Sequence, residues 1–323
     1  MANNGYMTAN SYWGMAVEAT YGTAASISTY TPIATPQVAP KVTWLPDPNF
    51  RGSPAAQYDQ VPGVRYDEFT GKTFLYTDTF PNLIRAVLGS ADTVSGSGPY
   101  THTIGLINSA STGSQPPSYT IINDSVDETY QLVASKCDAL NISFAADAAV
   151  ETTFNFKCNA AASIASVTNF PTESTQHIIP AWNCAASIGG ASVGAVMSGS
   201  LDIKRNTTSI FTLGGQSPWL NWAGPIDVSG KFEFLVSAGN PYWNEALVRN
   251  EQSFTFLFTD PFSGYSIQFG MNTVQLENPV IMQDKSWISM SADFVAVANT
   301  TNAVNGGFSP ITAIVTNGVS TAY

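Results

Sequence analysis

The sequence predicts an all-β fold carrying two short helices, and three observations support that reading. Apolar and polar residues alternate in run after run, the period of a half-buried strand. Turn-forming clusters at 95–99, 260–264 and 305–307 separate these runs. Helical periodicity is confined to two segments of about ten residues each.

Taken along the chain, the first helix comes from DTFPNLIRAVLG. Thr79 is placed to cap its start, Pro81 fits the first turn, and Gly89 supplies a left-handed stop. Phe80, Leu83, Ile84, Val87 and Leu88 recur at helical spacing, giving one apolar stripe that docks on a sheet. A hairpin follows. Leu140, Ile142 and Phe144, then Val150, Phe154 and Phe156, face a core, while Asn141, Ser143, Glu151, Thr153 and Asn155 face outward. Phe232, Phe234 and Val236 then alternate with Lys231 and Glu233. The second helix spans 240–249, with Asn240 as cap, Pro241 at its first position, and Trp243, Ala246 and Leu247 facing inward. Three further strands carry Phe254, Phe256 and Phe258; Tyr265, Ile267 and Phe269; and Ile288, Met290 and Phe294.

Each helix follows a strand containing Gly-Lys, at Gly71-Lys72 and Gly230-Lys231, and each precedes further strands. We read this as an internal duplication. It divides the chain into 1–62, an N-terminal arm with the first strands; 63–160, a first unit; 161–200, a low-charge linker or insertion; 201–297, a second unit; and 298–323, a C-terminal arm. The alternative is two unrelated β-to-α turns in one long fold. Glu18 is the only charged residue in the first forty, and Asp293 the only one after Lys285. Ends so neutral are unlike solvated tails. They dock, either as arms on neighbouring subunits or back onto their own chain.

With 23 acidic against 12 basic residues the net charge is −11, the wrong sign for gripping phosphates. Charged residues reach only 11%, so Ser, Thr, Asn and Gln must supply surface polarity, as suits strands and subunit contacts. No run of apolar residues is long enough for a membrane helix, and the first residues lack a signal peptide's basic and apolar regions. Cytosolic synthesis without membrane insertion is therefore expected. Cys137, Cys158 and Cys184 lack metal-site spacing and read as buried thiols.

A search for chemistry finds little. Gly190-Ala191-Ser192-Val193-Gly194 matches a nucleophile elbow, but His102 and His177, the only histidines, both precede it. Asp67-Glu68 and Asp127-Glu128 are adjacent carboxylates, which on a strand point to opposite faces and cannot flank one bond. No metal or cofactor motif is present, so no catalytic residue and no cofactor is expected. Trp182, Trp219 and Trp222 offer the competing reading, a glycan-binding or adhesive β-sandwich on which sugar rings stack.

Several stretches in order resemble the tail tube proteins of tailed bacteriophages. They are Gly14-x-x-x-Glu18-x-Thr20-Tyr21-Gly22-Thr23, the first helix block, Gly98-Pro99-Tyr100-Thr101-His102-Thr103-Ile104, Gln115-Pro116-Pro117-Ser118-Tyr119-Thr120, and Ala298-Asn299-Thr300-Thr301. The resemblance implies packed antiparallel sheets flanked by a helix, with inner sheets joining between subunits into a ring-shaped β-barrel. It implies a structural virion protein, not an enzyme, whose rings stack into the conduit for DNA delivery. Its partners would be other copies of itself, a tape measure protein in the lumen, tail completion and baseplate or tip proteins, and DNA in transit. Single-unit tube proteins form hexameric rings, so a duplicated chain favours a pseudo-sixfold trimer, with a hexamer the alternative. Under this resemblance Asn141, Ser143, Asp147, Glu151, Thr153, Asn155, Lys231 and Glu233 are the candidate lumen wall.

Overall fold

The computed structural model describes residues 7–49, 51–165, 174–193, 195–236, 243, 247–248, 251–283 and 286–323. Among them, β-branched and aromatic runs form strands β1 (Tyr12–Val17), β2 (Thr29–Tyr30), β3 (Gln37–Asp47) and β4 (Asp59–Phe74) before the helix α1 (Phe80–Leu88). After it come β5 (Thr93–Ser95), β6 (Tyr100–Gly105), β7 (Tyr119–Asp124), β8 (Thr129–Ala145), β9 (Glu151–Cys158) and β10 (Ala162–Ile164). Then follow β11 (Cys184–Ile188), β12 (Ala191–Ser192), β13 (Val196–Lys204), β14 (Thr208–Ile210), β15 (Leu220–Trp222) and β16 (Asp227–Leu235). The last are β17 (Gln252–Thr259), β18 (Ser266–Met282), β19 (Ser289–Ala296) and β20 (Thr312–Asn317).

The two longest strands organise the molecule, because each changes sheet along its length. The first part of β8 pairs with β7 and β10, and its second part with β9 and β13. The first part of β18 pairs with β17 and β20, and its second part with β19. At both changes a bulge adds a residue to the long strand, between Leu132 and Ser135 in β8 and between Met271 and Val274 in β18. Bulges bend a strand and increase its twist, which lets one strand serve two layers. The result is an inner sheet in the order β3-β4-β9-β8-β13-β16-β19-β18. Behind it lie β2-β1-β7-β8-β10 on one side and β12-β11-β17-β18-β20-β6-β5 on the other.

Between these layers sits an aromatic core. Trp13 stacks on Phe154 with ring centroids 4.9 Å apart and lies 5.4 Å from Phe69. In the second half, Phe254 stands 5.5 Å from Phe232 and 5.4 Å from Phe294. Helix α1 closes the first half by packing on β8 and β6, with Phe80, Leu83, Ile84, Val87 and Leu88 all buried. Gly89 ends it at φ 90°, its N–H donating to the Arg85 carbonyl. The start differs from expectation: Thr79 makes no side-chain cap. The Asn82 N–H, the donor that a Thr79 hydroxyl would serve because Pro81 has none, donates instead to the Thr79 carbonyl at 3.2 Å.

Most of the second predicted helix, including Ala246, lies outside the described residues. Trp243 and Leu247 have helical backbone and are 39% and 65% exposed. Ile288 also departs from its predicted inward face, because it precedes β19 and is exposed while Ser289 takes the buried position. The low-charge stretch contributes structure: β10 extends the β8 layer and β11 lies along β17. At the ends, β1 pairs with β7, and β20 fits between β18 and β6, so the described parts of both ends fold back on this chain. The Tyr323 ring packs at a tilt against the buried His102, 4.8 Å between centroids, while His102 binds Asp92 Oδ2 at 2.6 Å.

Candidate assembly surface

One face of the inner sheet is covered by the core and the other is open. Leu140, Ile142, Phe154, Phe156, Leu201, Ile203, Phe232, Phe234, Leu276 and Phe294 point into the core. Strand alternation therefore turns their neighbours to the open face. Lys72, Thr153, Asn141, Asp202, Ser229, Val295 and Gln275 lie side by side across it. The adjacent row holds Glu151, Ser143, Ser200, Lys231, Asp293 and Glu277. Of the sequence-predicted residues, Asn141, Ser143, Glu151, Thr153, Asn155, Lys231 and Glu233 share this face, and Asp147 sits in the exposed turn between β8 and β9.

The open face is polar and mixed in sign. Lys72 pairs with Glu151 at 2.7 Å, and the Asn141 amide donates to Asp202 Oδ1 at 2.7 Å. Lys204 and Lys231 stand among Asp202, Asp227, Glu233, Glu277 and Asp293. Short amides and hydroxyls fill the spaces. Such a surface holds water and leaves few cations without a neighbouring carboxylate.

The sheet ends on two strands whose outer edges have no partner among the described residues, β3 and the second part of β18. Pro40 and Pro46 lie on β3 and Pro279 on β18, where a missing N–H is tolerated only at an edge. Exposed apolar side chains gather near both edges: Trp44, Leu45 and Val61 on the β3–β4 hairpin, and Val280 and Ile281 on β18. These edges were missed by alternation, which says which face a residue takes but not which strand lies beside it. The prolines were the available signal.

The model for the family described as phage tail tube protein matches residues 8–298. The chain belongs to that family. No curated protein matches the sequence. A phage tail tube protein is a structural, non-enzymatic component of the virion tail that assembles with itself into a tube. The structure places each residue that the sequence offered as a candidate for chemistry or glycan binding in this tail tube protein. Ser192 lies on the two-residue strand β12, and the next element among the described residues is the strand β13, where a nucleophile elbow requires a helix. The buried His102 bridges Asp92 and the Val319 carbonyl. Trp182, Trp219 and Trp222 are all exposed. Trp182 follows the Ala149–Pro180 bridge, whereas Trp219 and Trp222 belong to the β14–β15 hairpin held to Ala134.

Cys137 and Cys158 of the tail tube protein are free and buried, and Cys184 is half-buried. Burial pushes Cys158 and Cys184 up to about 12, and Cys137 higher still. A thiol reagent at pH 8 is expected to leave Cys137 and Cys158 unlabelled in the folded protein and to label all three cysteines after denaturation. Stoichiometric labelling of the native protein within minutes would contradict this burial.

Proposed function

We propose that this tail tube protein closes into rings of three copies through the edges of β3 and β18, and that the rings stack into the hollow conduit for double-stranded DNA. The observation that carries the reading is a junction already present inside the chain. With β5-β6 set aside in the first half and β14-β15 in the second, the order β3-β4-helix-β7-β8-β9 corresponds to β13-β16-β17-β18-β19, with the second predicted helix between β16 and β17. The pairings repeat too: β3–β4, β4–β9, β8–β9 and β7–β8 correspond to β13–β16, β16–β19, β18–β19 and β17–β18. In this reading 37–158 and 196–296 are the two copies of one unit. The copies join where β8 pairs with β13. The corresponding strands, β18 and β3, are the two without partners. Each subunit thus carries one filled joint and the two halves of another.

Joining those halves between copies removes every edge of the inner sheet, the usual hazard of a β-fold. Eight inner strands per subunit and three subunits give a barrel with pseudo-sixfold symmetry. The open face, with Asn141, Ser143, Glu151, Thr153, Asn155, Lys231 and Glu233, becomes the wall of the channel. It passes DNA by not holding it. A tape measure protein occupies the lumen before ejection, completion and baseplate or tip proteins bind the tube's ends, and the subunit is made in the host cytoplasm.

Native mass measurement of purified rings is expected to give three subunits, and negative-stain microscopy of concentrated protein is expected to show tubes of uniform bore. A true hexamer would remove the pseudo-sixfold reading, and monodisperse monomers at all concentrations would remove the tube.

A further inference from the structure

We propose that the cavity around Arg205 is a socket for a carboxylate of a second copy stacked on that end of the subunit, and that Asp147 is the group that enters it. The inference rests on the ring-stacking reading above and assigns a contact within it.

β13 ends at Lys204, and the next backbone N–H, that of Arg205, donates to the Asp138 carbonyl at 2.7 Å. This turns the Arg205 side chain to the core side of the sheet, where it is 4% exposed. One terminal nitrogen donates to the Ser114 carbonyl at 3.3 Å, while Nε is buried with no hydrogen-bond partner. No carboxylate pairs with the guanidinium among the described residues. Its ionic neighbour makes matters worse, because Lys136 is equally buried and donates only to the Pro116 carbonyl. Burial and the nearby guanidinium lower Lys136 to about 8. Glu18 is the carboxylate that favours the charged lysine, and its oxygens are already occupied by Thr120 Oγ1, the Ala134 N–H and the Gly22 N–H. A buried guanidinium with no counter-charge is costly unless something else supplies one.

The space to supply it is present. A cavity of about 460 Å³ opens beside Arg205, lined also by Leu106, Ile107, Asn108, Ser114 and Trp222. The neighbouring amides are spent, Gln115 on the Ala223 backbone and Asn108 on the Gly306 and Phe308 carbonyls. The free donor capacity is therefore the guanidinium's. Exposed apolar groups stand nearby, with Trp222 42%, Trp219 66% and Phe308 62% exposed. Arginine deep in a pocket behind exposed tryptophans is the composition of a protein contact, where a dry rim strengthens a central charged bond.

Charge and direction select the occupant. Copies of this chain carry −11 and present carboxylates more readily than cations. Head-to-tail stacking places one end of the subunit against the other end of the next. Arg205 lies beside Asp138, where β8 enters the inner sheet, and Asp147 follows the last residue of β8, roughly 25 Å along the strand at about 3.3 Å per residue. Asp147 is exposed and has no partner among the described residues.

The test compares rings and tubes of the full chain by sedimentation and microscopy. Asp147→Asn is expected to leave ring mass and thermal unfolding unchanged while raising the concentration needed for tubes about tenfold, the effect of losing roughly 1.4 kcal/mol. Arg205→Gln is expected to do the same, Arg205→Lys to recover part of the loss, and the double variant to be no worse than either single one. A merely structural Arg205 would instead lower ring stability and leave Asp147→Asn stacking normally. Unchanged tube formation by Asp147→Asn, or additive losses in the double variant, overturns the proposal, and if Arg205→Gln fails to fold the Asp147→Asn result alone decides. If the unaltered protein forms rings but never tubes, it is the stacking reading that fails.

Discussion

Replacing Gly230 by alanine is expected to destabilise the subunit by about 4 kcal/mol or to prevent its folding, among the largest effects of any single methyl group in this chain. A Cβ at Gly230 would lie 2.2 Å from the Ser200 carbonyl oxygen and 2.4 Å from Phe294 Cζ. Ser200 is backbone of the neighbouring strand β13, so the ladder itself must shift. The equivalent glycine in the first half differs in an instructive way. A Cβ at Gly71 would meet Phe154 Cζ at 2.5 Å and Ile33 Cδ1 at 2.6 Å, both the far ends of side chains. Gly71→Ala is therefore expected to cost about 1–3 kcal/mol, as overpacking does. Phe154→Leu in the same chain should recover part of that loss, whereas Phe294→Leu should not rescue Gly230→Ala. Urea unfolding of the four variants measures this. A Gly230→Ala protein as stable as the parent would mean that the Gly-Lys strands are not packed as described.

A double variant, Gln37→Cys with Glu277→Cys, is expected to convert rings almost completely into covalent oligomers up to a closed trimer under mild oxidation. The pair follows from correspondence with the internal joint. Phe154 pairs with Gly71 and Leu140, and Phe294 pairs with Gly230 and Leu276, which sets the two halves in register. Asn141 follows Leu140 and faces Asp202 across the β8–β13 junction. Glu277 follows Leu276, and Gln37 pairs with Thr70 as Asp202 pairs with Ser229. Glu277 of one copy then faces Gln37 of the next. Residues directly opposed on antiparallel strands have Cα atoms about 4.5–5.5 Å apart, within disulfide reach. Glu277→Cys combined with Asp47→Cys, far along β3, serves as the out-of-register control. Non-reducing electrophoresis showing equal cross-linking of both pairs would discard the register, and no cross-linking of either would discard the edge pairing.

How much of this was legible in the sequence differs from element to element. The stripe of α1 was legible because Phe80, Leu83, Ile84, Val87 and Leu88 repeat at helical spacing, and burial of one face follows from geometry alone. The open face of the β8–β9 hairpin was legible for the same kind of reason with a period of two. Thr79 was misread because a cap is only one of several ways to satisfy a donor, and here the Thr79 carbonyl itself accepts the Asn82 N–H.

By itself, then, the sequence determined the β class, the inward and outward sides of its strands, the acidic and cation-poor surface, and membership of a structural family. Only the tertiary structure decided that β8 and β18 each serve two layers, that β3 and β18 stand at the edges, and that Arg205 is buried without a counter-charge. The physical reason is that side-chain alternation is local, whereas pairing is made by backbone N–H and C=O groups that are the same at nearly every residue. Which strands meet depends on bulges, twist and the competition of distant segments, and that competition is settled only when the whole chain packs.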